Sequence, residues 1–423
     1  ELLVNDDPSK AGEFLDTAHC QLKERMIMTG HRTIAFSVVV LAIVPCWTVH
    51  SVPGPAVPED NAALLYYQAL LLSPPYDQLP LGEVRKAAPS IDELRRYVSE
   101  NTEVVQLIAA ASRLDRAEWG IQAASFGHRM GPYIRSSVFL VSADARILAS
   151  DGKYREAFER LLTLRSLMRR VGEDPNFSFS SSFVVGGNTL VGAHRLLELT
   201  PPDAKLLSWL SERLVYEPPY RHWLQKRLLW EFESTVHRLH TDKRFLAIIT
   251  RIDPRVNTEA NITKKKELAQ LSKDELIRRV REPYEKFLDR AFEILAEEGP
   301  YTEVYPKLES LAEPIATSQD DPANILDWRA GAEQLLGGYE LWIAAKARLN
   351  AVRAATTIYL LKATTGHLPA AIPAGAPKDP FSGRDFEYEI TPIGFLLRTR
   401  VPPAYRKKPW QFEFTVSAPK GAN

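Results

Sequence analysis

Cysteine is almost absent from this chain. Among its 423 residues only Cys20 and Cys46 carry a thiol, and that count excludes a zinc site built from several cysteines. The two residues fall on either side of the start of an apolar segment, so we do not expect a disulfide between them. The rest of the chain has no thiol chemistry.

Net charge is also lacking, because 53 basic residues balance 53 acidic residues. A dedicated nucleic-acid-binding domain usually carries a clear basic excess, so the balance argues against nucleic acid as a partner. The short basic runs Lys264–Lys266 and Arg406–Lys408 are typical of solvated surface. A hydrophobic fraction of 45% and a charged fraction of 25% are ordinary for a globular protein. The length allows roughly two or three domains.

The usual motifs of catalysis and nucleotide binding are missing. The sequence contains no G-x-S-x-G, no H-E-x-x-H, no P-loop and no dinucleotide fingerprint. The glycine-rich stretch SFVVGGNTLVG, with Gly186, Gly187 and Gly192, has no P-loop lysine. We interpret its glycines as positions of close helix packing.

A long uncharged run near the N-terminus is the strongest topological signal. Residues 33–49 carry no charge, and as a helix they extend about 25 Å, just short of a bilayer core. Lys23, Arg25 and Arg32 precede the run, and the next basic residue is Arg85. The positive-inside rule places the N-terminus in the cytoplasm and the chain after about residue 50 outside.

Three interpretations of this run stay open. Residues 33–52 are predicted to be an uncleaved transmembrane anchor. Residues 1–32 are then a cytoplasmic tail, or an upstream segment wrongly assigned to the gene. Residues 53–58 are a proline-rich linker. A cleaved signal segment with secretion of the rest is the first alternative. A buried core helix is the second. The expected location is the bacterial inner membrane, with a single pass and the bulk of the chain periplasmic.

Segment 59–323 is predicted to form a helical body, because its apolar residues recur at helical spacing. Long helices are expected at about 276–297 and 324–364. In EDNAALLYYQALLL the repeating positions are Ala63, Tyr66, Tyr67 and Leu70.

Helix starts are marked by capping residues. Ser90 with Glu93, and Ser272 with Glu275, have the spacing of a capping box, in which each side chain binds the other residue's backbone N–H. Asn101 is predicted to be an N-cap.

One helical pair has a more specific pattern. Gly152, Tyr154, Ala157 and Leu161 follow the spacing G-x-Y-x-x-A-x-x-x-L, and Ala145 occupies the small position one helix earlier. This resembles a tetratricopeptide repeat, in which the glycine makes the turn and the alanines allow close helix approach. A second copy should begin near Gly186, where the tyrosine and the alanine are missing. An ordinary helical hairpin is the alternative.

Segment 324–423 is predicted to be a long helix followed by a three-stranded antiparallel meander. TPIG at 391–394 is a tight turn between the first two strands. Such a sheet is not stable alone and should pack on the long helix. The alternating apolar residues are Phe386, Tyr388 and Ile390, then Phe395 and Leu397, then Trp410, Phe412, Phe414 and Val416.

This order of helix, proline-rich loop and aromatic hairpin resembles the C-terminal half of the major pseudopilin of type II secretion. The acidic calcium loop of that family is absent here, and so is an adjacent processed N-terminal helix. The residues that carry the resemblance are Gly366, Leu368, Pro369, Asp379, Pro380, Phe381, Gly383, Tyr388, Gly394 and Phe395.

The whole arrangement is similar to a large group of planctomycete-type extracytoplasmic helical proteins of unknown activity. Shared features are an apolar N-terminal segment, a head here formed by Asn61-Ala62-Ala63 with Tyr66-Tyr67, a helical body and an Asp-Pro-Phe-x-Gly tail. The resemblance implies an extracytoplasmic helical protein.

Only one set of residues suggests metal chemistry. Glu233, His237 and His240 are spaced i, i+4 and i+7 and share one face of a helix. A carboxylate and two imidazoles could ligate zinc or iron with a ligand from elsewhere. A polar stripe on the surface is the alternative.

Together these observations predict a mainly α protein: an irregular, tetratricopeptide-like body with a small C-terminal sheet. The leading functional prediction is a membrane-anchored extracytoplasmic scaffold or interaction protein without catalytic activity, cofactor or nucleic-acid partner. A metal-dependent hydrolase using the Glu/His/His face is the first alternative. An accessory component of a pilus-like or secretion assembly is the second.

Overall fold

The computed structural model describes residues 60–75, 79, 89–120, 124–175, 177, 179–215, 218–241, 270–317, 328–404 and 408–416. The predicted tail, membrane segment and linker, residues 1–58, lie outside these ranges, as do both cysteines. No helix among the described residues is long and apolar enough to cross a membrane.

The described chain is mainly helical and ends in one small sheet, which confirms the predicted fold class. The long helices expected near 276–297 and 324–364 are Lys273–Ala296 and Trp328–Thr365, named α9 and α11 below. The strands are β1 Glu387–Thr391, β2 Gly394–Arg398 and β3 Gln411–Thr415. In chain order the described helices are α1 Ala62–Leu72, α2 Ile91–Glu100, α3 Thr102–Ala111, α4 Ala124–Ser150, α5 Tyr154–Glu173, α6 Phe179–Leu199, α7 Ala204–Arg213, α8 Tyr220–Thr241, α9 Lys273–Ala296, α10 Tyr301–Thr317 and α11 Trp328–Thr365.

Capping starts two helices where the sequence predicts. Ser90 Oγ accepts a bond from the Glu93 N–H at 3.3 Å, and the Glu93 carboxylate accepts from the Ser90 N–H at 2.7 Å, a complete capping box. Ser272 Oγ likewise accepts from the Glu275 N–H at 3.2 Å. The Glu275 carboxylate, however, accepts from the side chains of Arg278 and Arg279.

Asn101 has the predicted position but makes a different bond. It stands between α2 and α3, yet its side chain makes no N-cap hydrogen bond. Its amide donates backwards to the Tyr97 carbonyl at 2.8 Å. The side chain therefore satisfies a free carbonyl at the end of α2 rather than a free N–H at the start of α3.

Helices α4 and α5 form the hairpin that the tetratricopeptide-like spacing predicts. Gly152 joins them with a φ of +78°, a conformation that favours glycine. Ala145 and Ala157 are both fully buried, which lets the two helices approach closely. Gly186, where a second copy would begin, instead lies inside α6.

The remaining helices continue this packing into one core. Helix α6 packs on both α4 and α5, and α11 packs on α6, α7, α8 and α10. Helix α9 packs on both α8 and α10. A single cluster of buried apolar side chains runs from α1 to β3, so the helical body and the C-terminal sheet share a hydrophobic core.

Asn61 and Tyr67, at the start of α1 and within it, hold the loop between α3 and α4 through hydrogen bonds. Asn61 is 3% exposed. Its Oδ1 accepts from the N–H groups of Ala63 and Glu118, and its amide donates to the Glu118 carbonyl at 2.9 Å. Tyr67 donates to the Trp119 carbonyl at 2.6 Å. The asparagine thus caps α1 and fixes a segment almost sixty positions away.

The sheet has the order β1-β2-β3 with both pairs antiparallel. Thr391 faces Gly394 across a two-residue turn, as predicted. Phe395, Leu397, Phe412 and Phe414 are all buried. Ile390 is the exception to the predicted apolar face, because it lies at the end of the edge strand β1 and is 52% exposed.

A buried aspartate organises the loop before the sheet. Asp379 is fully buried, and its carboxylate accepts from the Phe381 N–H at 3.0 Å, the Ser382 hydroxyl at 2.7 Å and the Arg400 N–H at 2.9 Å. Three donors from two separate segments therefore converge on one side chain. This accounts structurally for the Asp-Pro-Phe-Ser-Gly motif.

The same loop caps α10. The free N–H groups of Tyr301 and Thr302 donate to the carbonyls of Pro380 and Phe381 at 3.0 and 3.3 Å, so the loop satisfies donors that a helix start leaves unpaired. The Tyr301 hydroxyl also bonds Glu340 on α11. The loop thus attaches the sheet to the helical body.

The sheet packs on α11, as predicted, and on α6 as well. Tyr359 on α11 donates to the Thr415 carbonyl at 2.6 Å. His194 Nε2 lies 2.6 Å from the Glu413 carbonyl oxygen, and the Glu198 carboxylate accepts from the Thr415 N–H at 2.9 Å. These groups of β3 face away from β2, so side chains of the body cover its open edge.

Candidate binding pocket

The three residues of the predicted metal site lie on one helix, α8, close to its end. All three are exposed. The Glu233 carboxylate accepts from the Arg281 guanidinium on α9 at 3.0 Å. Across the described ranges no group of three or more His, Cys, Asp or Glu side chains is placed to hold a metal ion. The Glu233, His237 and His240 site stays a sequence prediction, without support from side-chain geometry.

A partly open hollow between helices is the best candidate for a functional site. Its walls come from α5, α6, α7, the start of α8 and α11. Helix α5 contributes residues at i, i+3, i+4, i+7 and i+10, and α6 contributes residues at i, i+3, i+4 and i+7, so each helix presents one face. The residues from these two helices are Phe158, Leu161, Leu162, Arg165 and Met168, then Gly186, Thr189, Leu190 and Ala193.

Small residues on α6 set the spacing of the walls. A Cβ atom at Gly186 would lie 2.6 Å from Met168 Sδ, and one at Gly192 would lie 2.9 Å from Leu161 Cδ2. Both distances are shorter than a van der Waals contact. The interpretation of SFVVGGNTLVG as a close-packing stretch is confirmed at these two positions. At Gly187 a Cβ would meet open space.

The polar groups of the lining bond within the wall. Thr189 Oγ1 donates to the Val185 carbonyl at 2.7 Å, and the Tyr220 hydroxyl lies 3.8 Å from Met168 Sδ. The Arg165 guanidinium donates to the Arg213 carbonyl at the end of α7, where a cation is favourable. The surface turned to the hollow is therefore mostly hydrocarbon.

Burial raises the pKa of tyrosines in the core. The pKa of Tyr97 is raised to about 12 by desolvation, and desolvation also raises the pKa of Tyr359. A phenol with a raised pKa stays neutral and acts as a hydrogen-bond donor. Both phenols are neutral at neutral pH, as an ordinary tyrosine is: Tyr359 donates to the Thr415 carbonyl, and Tyr97 packs its ring against Phe139.

The size of the hollow limits what it can hold. It encloses a cavity of about 40 Å³ within about 530 Å³ of empty space that includes the open mouth. A cavity of roughly 10–15 Å³ holds one water, so the hollow has room for about three waters. One isobutyl or phenyl group takes up about the same space. Water there finds few polar partners, so an apolar group should replace it favourably.

Sequence reasoning found the glycines of this site but missed the pocket. Met168, Tyr220 and Leu349 belong to three helices far apart in sequence, and their periodicity indicates only a buried face. No local signal distinguishes a tightly packed face from one that leaves a gap.

Comparisons of the chain with protein-family models, with curated proteins and with solved structures found no match. The resemblances to tetratricopeptide repeats, to the major pseudopilin and to the planctomycete-type group stay predictions based on the residues named above.

Proposed function

We propose that this chain is a membrane-anchored extracytoplasmic interaction protein, and that its helical body binds an apolar group of a protein partner in the hollow between α5 and α6. The hollow is the observation that carries the proposal. Its lining is largely apolar, its mouth is open and its size fits one side chain. This arrangement supports recognition of an anchor residue, the usual core of a protein interface.

The choice of a binding role rests on the chemistry of the lining. Thr189 and Tyr220 have their hydroxyls bonded within the wall, and Arg165 bonds the end of α7. The apolar groups that line the cavity therefore contribute shape complementarity and dispersion attraction to a bound group. These favour the binding of an aliphatic or aromatic side chain.

The anchor part of the proposal is supported by the sequence alone. Residues 33–52 have the length of a membrane span, and the basic residues lie on the N-terminal side. Fractionation of the full chain tests it. The chain should stay in the membrane after alkaline carbonate extraction, and protease added to spheroplasts should digest the part after residue 58. Release by carbonate, or protection from protease, contradicts the anchor.

Photocrosslinking tests the binding role. A benzoylphenylalanine at Leu162, which lines the hollow and is half-buried, should form a discrete adduct in cells that produce the full chain. The same probe at Leu229 on α8, 44% exposed, is the control and should not form that adduct.

A filled pocket gives the sharper comparison. Ala193 lines the hollow and is 5% exposed, so Ala193→Phe should occupy the cavity and reduce the Leu162 adduct severalfold. Ala193→Leu is the milder substitution if the phenylalanine variant unfolds. An adduct that is equally strong in a folded, filled variant would show that the partner binds elsewhere.

A further inference from the structure

Helix α1 has an unusual surface for a solvated helix. Its eleven residues, AALLYYQALLL, include no charged side chain. Leu64 is 42% exposed, Leu71 is 74% exposed and Leu72 is 49% exposed. With the exposed Gln68 between them, these residues form one stripe at i, i+4, i+7 and i+8. We name this stripe the leucine face.

The opposite side of α1 is fixed in the protein. Ala62, Ala63, Tyr66, Ala69 and Leu70 are each at most 1% exposed. The helix start is clamped by Asn61, and its end is held by a hydroxyl contact of 2.6 Å between Ser73 and Ser137 on α4. The helix cannot turn its leucines inward. A helix that is apolar all round normally has all its sides buried, so the leucine face requires a covering surface.

The position of α1 in the chain indicates what covers it. About nine residues separate Val52, where the apolar segment ends, from Ala62, where α1 begins. Even fully extended, this stretch spans about 30 Å. If residues 33–52 cross the membrane, α1 is the first described helix after the span and must begin within about 30 Å of the bilayer. A bilayer surface takes up leucine side chains without needing charged partners.

We propose that the leucine face of α1 lies in the interfacial layer of the lipid bilayer and orients the helical body on the membrane. The inference rests on the proposed membrane anchor. Leu64 and Leu71, two turns apart along a rigid helix, insert their side chains among the lipids. The protein then has two membrane contacts, the anchor and this face, so the body stands in one orientation and does not swing on its linker.

Spin labels on the full chain test this arrangement. In a Cys20→Ser, Cys46→Ser background the label is placed by Leu71→Cys, and the protein is reconstituted in vesicles of phosphatidylcholine and phosphatidylglycerol. Val215→Cys, at an apolar residue 61% exposed after α7, is the matched control. Collisions with oxygen, which concentrates in lipid, are compared with collisions with a water-soluble nickel chelate.

The label at position 71 should collide severalfold more with oxygen and severalfold less with nickel than the label at 215. Leu64→Cys should repeat the result. If position 71 is open to nickel in protein that still resists carbonate extraction, the inference fails and the anchor stands. If it is shielded from both reagents, protein covers the face and the inference also fails. If the chain leaves the vesicles, the anchor fails together with the inference.

Discussion

The Nε2 atom of His194 on α6 lies 2.6 Å from the backbone carbonyl oxygen of Glu413, at the centre of β3. A neutral imidazole with its proton on Nε2 donates this bond. Burial lowers the pKa of His194, since it disfavours the charged ring, and Arg348 and Arg195 lower it further. Glu198 and the Glu413 carbonyl oppose the shift.

The depressed pKa predicts how stability depends on pH. The unfolded chain binds a proton at this histidine near pH 6.5, whereas the folded protein binds it only at lower pH. The stability contributed by neutral His194 is therefore complete above about pH 6.5 and is lost as the pH falls from there towards the folded pKa. The thermal unfolding midpoint should therefore fall as the pH is lowered from about 7 to about 5, a range that includes the ordinary histidine pKa of about 6.5.

A non-titrating replacement isolates the effect. His194→Gln can donate the same bond from its amide, so its midpoint should fall less over that pH range than the midpoint of the parent chain. His222→Gln, at an exposed histidine of α8, is the control for removing a histidine away from β3. Equal slopes in all three proteins would mean that His194 does not titrate differently on folding.

Two glycines in neighbouring helices should respond in opposite directions to the same change. A Cβ at Gly172 on α5 would lie 2.4 Å from Trp223 Cε3, in a ring that is 1% exposed. A Cβ at Gly187 on α6 meets nothing within 4 Å. Gly172→Ala should cost about 1–3 kcal/mol through overpacking, because a buried indole has no room to move.

Gly187→Ala is the matched control and should stabilise the protein by about 0.5–1 kcal/mol, since alanine loses less backbone entropy in a helix. Urea unfolding followed by tryptophan fluorescence measures both variants. Equal effects at the two positions would contradict the packing of Trp223 against α5.

The sequence predicts elements where the signal is local. The Ser90–Glu93 capping box, the hairpin turn after Thr391 and the Gly152 turn each depend on residues within four positions. Periodicity likewise gives the helices and the buried side of the strands. Ile390 differs because burial depends on which strand lies at the edge, a property of the whole sheet.

Contacts that join distant segments leave no such trace. His194 and Glu413 are 219 positions apart, and Asn61 and Glu118 are 57 apart. Each residue looks like an ordinary polar residue until the fold brings the pair together. The hollow is harder still to predict, because it arises where several apolar faces fail to fill a space.

Asp379 should be the most sensitive polar residue of the C-terminal segment. Asp379→Asn preserves shape but replaces one carboxylate oxygen with an NH₂ group, which then faces the donors of Ser382 and Arg400. Leaving these partly buried donors without an acceptor should cost about 1–3 kcal/mol in the free energy of unfolding. Asp385→Asn, at an exposed position in the same loop, is the control and should change stability by less than about 0.5 kcal/mol. A small effect at Asp379 would show that the loop keeps its structure without these hydrogen bonds.

Two buried methionines allow the pocket to be observed directly. Met168 lines the hollow between α5 and α6, and Met130 on α4 is buried outside the pocket lining. In the full chain labelled with ¹³C at the methionine methyl groups, each gives a separate signal. One resonance therefore reports on the pocket and the other on the rest of the core.

Benzene is a suitable probe, because it enters dry apolar cavities and makes no hydrogen bonds. Its titration should shift the Met168 methyl resonance in a saturable way and leave Met130 unchanged. Ala193→Phe should abolish the shift, since the added ring occupies the space that benzene would take. If both methionines shift together, benzene is loosening the whole core. If Met168 does not respond in the parent chain, the hollow is closed in solution and the proposed binding site is wrong.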